Sequence, residues 1–172
     1  MRLLMVASLA ALLGLAGCGY HTLGAAAHLP PNLHTLSVPV FANNTDSYGT
    51  ETALTSAVIR EFNARTSYHV VPKTDTDADA VLRGTILNES ITPLTYNAST
   101  QQSSSFLITM VFAVTLKDRD GRVLYSNNKY VYRQQYQSTT VLPTFLQEDP
   151  AAVERLSRDF ARQLVADVLE GY

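Results

Sequence analysis

The sequence predicts an α+β fold, a two-layer sandwich of two helices packed on a mostly antiparallel, about four-stranded sheet. Two patterns carry this expectation. Phe106, Ile108, Met110, Phe112, Val114 and Leu116 alternate without a break, so a strand through them has one fully apolar face. Leu54, Val58 and Phe62 recur at every fourth position, as Leu156, Phe160, Leu164 and Val168 do, and each set forms one stripe along a helix. A one-faced sheet and two one-striped helices bury their apolar surfaces against each other.

The elements follow in order. Leu36, Val38 and Val40 alternate, so 34–41 reads as a first strand, and Pro39 makes it an edge strand or one interrupted by a bulge. After a loop over 43–49, Thr50 is the expected N-cap of a helix from Glu51 to about Arg65. Tyr68 to Val71 is a short second strand, ended by Pro72. A third strand runs from Ala80 to Thr92 with Gly84 inside it, and Pro93 follows. A polar stretch of Ser, Thr, Asn and Gln, about Asn97 to Ser105, reads as a loop before the alternating strand. Asp118-Arg119-Asp120-Gly121 is a hairpin turn, with Gly able to take positive φ. The return strand, Val123 to about Tyr136, carries Tyr125, Tyr130, Tyr132 and Tyr136. Asp149 and Pro150 suit the N-cap and first position of the last helix, whose stripe also includes Val153.

The chain opens with an export signal over residues 1–17. Arg2 is the positive end, Leu3 to Leu13 is an apolar run too short for the roughly 20 residues of a membrane span, and small residues follow. Leu15-Ala16-Gly17-Cys18 resembles the lipobox of bacterial lipoproteins. Cleavage between Gly17 and Cys18 would leave Cys18 as the lipid-bearing N-terminus, because a thiol readily forms a thioether to diacylglycerol. Cys18 is the only cysteine, so it has no disulfide partner within the chain. Each buried acyl CH₂ contributes about 0.8 kcal/mol, and two or three chains such as palmitate anchor firmly. Gly19 rather than Asp follows the cysteine, which by resemblance to the sorting rule of Gram-negative lipoproteins favours the outer membrane. Residues 18–33, with Gly, Ala and Pro30-Pro31, read as a lipidated tether, and 34–172 as one domain.

Composition narrows the function classes. The net charge is −2 and no basic cluster stands in the sequence, which argues against a nucleic-acid partner. Nine tyrosines without tryptophan lean toward strands and interfaces. Asp75, Asp77 and Asp79 have the opening spacing of a calcium loop. Ala80 and Ile86 stand where that loop needs Gly and Glu, so a solvated loop is the expectation. His21, His28, His34 and His69 lack zinc-ligand spacing, and no nucleophile elbow or phosphate-binding glycine loop is present. The expectation is no enzyme, no metal and no cofactor. Asn43-Asn44-Thr45 matches a glycosylation acceptor and is taken as chance loop sequence.

Several stretches in order carry a family resemblance. They are Cys18-Gly19-Tyr20-His21, the Leu36 to Asn44 strand and loop with the helix through Phe62, and Ala78-Asp79-Ala80-Val81-Leu82-Arg83-Gly84. The alternating strand into Asp118-Arg119-Asp120-Gly121, the tyrosine-bearing return strand and Glu148-Asp149 before the last helix complete the set. Together, across nearly the whole mature chain, they resemble LptE, the lipoprotein of the outer-membrane lipopolysaccharide translocon. The resemblance implies two helices on a four-stranded sheet. It implies a non-enzymatic lipoprotein that plugs and helps assemble the β-barrel LptD for lipopolysaccharide insertion into the outer leaflet, its body periplasmic or within the barrel lumen. The loop around Thr95 to Ser105, with Tyr96, Ser99 and Gln102, is the candidate partner-facing segment. It and the stretch from Gln137 to Asp149 hold no Lys or Arg, so barrel plugging is better supported than direct lipopolysaccharide binding. The first half also resembles accessory lipoproteins of other envelope machines, peptidoglycan-synthase activators or secretion-pore components, and these form the alternative.

Overall fold

A computed structural model describes residues 29–75, 77–97, 102–137 and 150–171. The order is β1 (Thr35–Ser37), β2 (Ala42–Asn43), α1 (Thr50–Arg65), β3 (His69–Val71), β4 (Ala80–Asn97), β5 (Gln102–Asp118), β6 (Val123–Gln137) and α2 (Pro150–Glu170). The two-layer α+β class stands as expected, but the sheet has six strands and is mixed. Strand order is β3-β1-β4-β5-β6, with β2 also paired to β4. β1 runs parallel to both β3 and β4, β2 runs parallel to β4, and the long β4-β5-β6 meander is antiparallel.

The first strand accounts for the extra count. Val38 to Phe41, with Pro39 among them, breaks it into β1 and β2, as a residue with no N–H to give a ladder would. It is interrupted, but it is no edge, since β1 lies between β3 and β4. Parallel pairing of β1 with β3 requires a crossover, and α1 is that crossover.

Thr50 is not the N-cap of α1. Gly49 takes that place in the left-handed region at φ 86° and offers no side chain, while Glu51 reaches back so that its carboxylate accepts the Gly49 N–H at 3.2 Å. Thr50 is the first helical residue, with its side chain buried. Pro150 opens α2 as expected, and Asp149 lies outside the described residues.

One face of the sheet carries the core. All six alternating residues of β5 are buried, with Leu82 and Ile86 of β4 and Tyr130 and Tyr132 of β6 beside them. Over them lie Leu54, Val58 and Phe62 of α1 and Leu156, Phe160, Leu164 and Val168 of α2. The Phe160 ring stacks on Phe112 at 4.4 Å and meets Tyr130 and Tyr132 edge-on. Tyr130 donates to Asp167 at 2.7 Å, and burial together with that carboxylate raises the Tyr130 pKa. Burial, and secondarily Asp159, raises that of Tyr132 to about 12.

Gly84 is a close-approach position. A Cβ there would stand 2.6 Å from the Phe41 ring, which is itself buried, and the Phe41 N–H is held by Thr55 Oγ1 at 3.0 Å. With so little room, Gly84→Ala is expected to cost roughly 1–3 kcal/mol, and adding Phe41→Leu should recover part of that in urea melts. Phe112→Ala and Phe160→Ala should each cost roughly 3–5 kcal/mol. Because the rings stack, the double variant should lose less than the sum of the singles, which a double-mutant cycle measures.

Candidate partner-facing site

Cys18 and Gly17 lie outside the described residues, as does Ser99, while Tyr96 and Gln102 fall on strands. The expected loop from Asn97 to Ser105 is mostly ladder. Thr95 pairs with Ser105, Tyr96 with Ser103 and Asn97 with Gln102, so only 98–101 lie beyond the last pair. Gln102 to Ser105 extend β5 beyond its apolar run without a hydrophobic period, and Thr95 opposite Ser105 suits a pleated surface. Pro93 does not end β4 because the register shifts between Pro93 and Thr95, which sets it at a bulge. β2 leaves β4 at Ile86, so from Asn88 onward β4 has β5 on one side and no partner on the other among the described residues. An absent N–H on that open side costs no ladder bond. The result is a hairpin arm, with β6 accompanying β5 as far as Ser105 opposite Gln137.

The opposite pole is a hydrogen-bonded clasp. Asp79 Oδ2 accepts the N–H groups of His34 and Thr35 and the Thr35 hydroxyl, each at 2.9 Å. Asp79 N–H donates to Thr35 Oγ1 at 2.8 Å, and Arg119 Nη2 reaches Asp79 Oδ1 at 3.0 Å. The expected solvated loop of three aspartates is therefore corrected at Asp79, which fixes the start of β1 against the turn after β5. The backbone donors, foremost His34 and then Thr35, hold the Asp79 carboxyl down at about 2. Asp118 serves the same turn, its Oδ1 accepting from Asp120 N–H and Arg122 N–H, while Gly121 takes φ 82°. A cleft of about 300 Å³ beside this clasp is bordered by Leu33, Asp79, Arg119 and Arg122. The Asp79 and Asp118 carboxylates there are already engaged. Leu29 and Leu33 are buried, so the chain from the N-terminus joins the core directly before β1.

A second polar cluster lies in the loop before α1. Asn43 Oδ1 accepts from Thr45 N–H and its hydroxyl, and Asn43 Nδ2 donates to Ser47 O at 2.8 Å and to Glu51 Oε2 at 2.9 Å. The Asn43-Asn44-Thr45 sequence is thus a turn-building element, and Asn44 N–H ties it to Ile86 O. Beside it, the bulge at Leu87 puts Glu89 opposite Met110, on the core side of the sheet. Glu89 Oε2 is buried without a hydrogen-bond partner among the described residues, and burial raises its pKa against a bond from Ser47. Sequence reading passed over Glu89, since the bulge that turns it inward leaves no mark in the period. Among the described residues no group of three or more His, Cys, Asp or Glu is placed to hold a metal ion, and no helix is long and apolar enough to cross a membrane.

Among the described residues the opposite face of the sheet carries no helix. Along β5 it shows Leu107, Thr109, Val111, Ala113 and Thr115, all half-buried. Across from these stand Arg83, Asn88 and Ser90 on β4 and Ser126, Val131 and Arg133 on β6. This surface mixes aliphatic and hydroxyl groups.

A family model described as LptE: Lipopolysaccharide-assembly matches residues 33–168. Comparison with curated proteins finds no sequence match. Among solved structures, uncharacterized lipoprotein B from Nitrosomonas europaea is 16% identical, with 85% of this chain and 84% of that one covered at a TM-score of 0.48. A hypothetical protein from Chlamydia trachomatis is 10% identical over 80% of this chain and 96% of that one, at 0.52. The PelC dodecamer from Paraburkholderia phytofirmans is 13% identical over 80% and 90%, at 0.51. The last two share this fold.

Asp79 gives a pH signature. Its carboxyl titrates near 2 in the fold against an ordinary 3.8, so its contribution is complete above about pH 4 and fades as pH falls toward 2. Asp79→Asn is expected to cost on the order of 1 kcal/mol at pH 7. In urea melts the gap between variant and wild type should narrow at pH 2.5, and a gap independent of pH would contradict the assignment.

Proposed function

The chain belongs to the LptE lipopolysaccharide-assembly family, and from that premise we propose that it is a non-enzymatic outer-membrane lipoprotein that plugs and helps assemble an LptD-like β-barrel. The observation that carries this reading is the family match, which spans every strand and nearly all of both helices. Lipopolysaccharide is the cargo that such a complex would hand to the outer leaflet, and direct contact with it is the lesser part of the reading. Cys18 would hold the lipid, and the tether would reach the core at Leu29, on the side of the Asp79 clasp.

The hairpin arm fits the plugging role physically. β4 starts at the clasp and runs 18 residues away from it, which at about 3.3 Å per residue is roughly 55 Å. The arm therefore points away from the anchored pole. Its end is built from Ser, Thr, Asn and Gln, whose groups can hydrogen-bond the wet, polar lumen of a barrel without burying an unpaired charge. Tyr96 and Gln102 ride on paired backbone there, so the ladder presents the segment as an arm and not as a slack loop.

A pull-down of the lipidated chain from detergent-solubilised outer membranes tests the reading. A large β-barrel is expected as the main partner, and photo-crosslinkers at Tyr96, Ser99 and Gln102 should label it. Capture of a peptidoglycan synthase or a secretion pore without a barrel would overturn it in favour of the alternative. Cys18→Ser should abolish fatty-acid labelling and leave the protein in the soluble periplasmic fraction, and a labelled variant would refute Cys18 as the attachment point.

A further inference from the structure

The hairpin arm begins where β2 leaves β4, and one carboxyl lies at that root. The bulge at Leu87 turns Glu89 to the helix side of the sheet, in one row with Met110 and Tyr132. Its Oε2 is buried without a hydrogen-bond partner among the described residues. The 43–49 loop closes on it: the Ser47 hydroxyl reaches the carboxyl, and Asn44 N–H donates to Ile86 O at 3.0 Å. That loop is braced within itself by Asn43, which joins Thr45, Ser47 and Glu51. Thr50, the next residue, also has a buried hydroxyl oxygen without a partner among the described residues. A braced loop over unsatisfied oxygens is a contact that can part as one piece.

We propose that Glu89 is a proton-dependent latch at the root of the arm. Carrying a proton, the carboxyl lets the loop lie closed on β4; ionised, it opens that contact and reaches water. The direction follows from burial, because a charge taken from water without a partner is costly. Burial raises the proton affinity of Glu89, and the Ser47 hydroxyl opposes it in second place. The other titratable groups around it leave the charge unmatched. Glu51 of α1 is an acid that already holds Gly49 N–H and Asn43 Nδ2, and Asp46 of the loop is another acid. Tyr132 stands in the same row across β5. Asp159 and Arg162 of α2 act on that tyrosine and bond each other. The folded carboxyl has the higher proton affinity, so closure is complete below the ordinary value of 4.5. It is lost as pH rises through the folded value. The latch is a property of the fold and holds whatever the arm meets.

The test follows amide exchange over residues 42–50 of the lipidated full-length chain in detergent, from about pH 4 to about pH 8 and corrected for the intrinsic rate. Opening should grow roughly tenfold for each pH unit by which burial lifts the Glu89 midpoint. The β5 amides over 108–116 should stay protected throughout. Glu89→Gln is expected to keep the loop closed at every pH, and Glu51→Gln to leave the wild-type response in place. NMR of labelled glutamate carboxyls follows Glu89 directly, and its midpoint should coincide with that of the exchange. A response that survives Glu89→Gln overturns the latch, as does a Glu89 midpoint at or below 4.5. A raised midpoint with flat exchange overturns it too, since the side chain then finds water without moving the loop. Should Glu89→Gln fail to fold, the wild type alone decides, because a mismatch of its two midpoints also overturns the latch.

Discussion

The strict alternation of β5 is the constraint on which the rest of the structure depends. Six consecutive inward positions, Phe106 through Leu116, are apolar and buried, so the strand has a face that must be covered along its full length. The two helices can cover only one side of the sheet. Their packing on each other and on Phe112 and the tyrosines of β6 closes the core and commits β4 and β6 to the same orientation. A one-residue slip of β5 would place Leu107, Thr109 and Val111 under the helices and expose the phenylalanines, so register is held by burial more than by hydrogen bonds.

Two bulges adapt long strands to that constraint. Strands of this length coil, and the extra residue near Leu87 and the shift in β6 near Asn127 increase the twist locally. Each has a consequence for surface chemistry. The first carries Glu89 inward, where it stands as an incompletely satisfied carboxyl in an otherwise apolar row. The second sets Lys129 on the outer strand, where a charged bulge also discourages unwanted pairing along the β6 edge. The Pro93 bulge does the same for the open side of β4 beyond Ile86.

What the sequence made legible follows from which patterns are periodic. The two helix stripes, β5, the Asp118 to Gly121 turn and the return strand all carry strong periodic or turn signals, and all occur where they were expected. The split of the first strand was foreshadowed by Pro39, but its central place was not, because parallel pairing is decided by the crossover α1 and not by the residues of β1. The polar end of the hairpin was misread because Ser, Thr and Gln carry no hydrophobic period, and only the ladder shows them paired. Of the candidate site, Tyr96 and Gln102 lie on paired strands and not in a loop. That Arg83, Lys117 and Arg133 share a sheet face stayed hidden because they are scattered over fifty residues of sequence and meet only in the sheet.

Lack of Lys and Arg in the stretches 95–105 and 137–149 favoured barrel plugging over direct lipopolysaccharide binding. The fold brings Arg83, Lys117 and Arg133, distant in sequence, onto the outer side of β4, β5 and β6. The end of the arm carries no ionic side chain whose burial would need a charged partner. The two ends of β4 therefore differ in charge, with Arg83 near the clasp and the uncharged pairs Tyr96–Ser103 and Asn97–Gln102 at the far end.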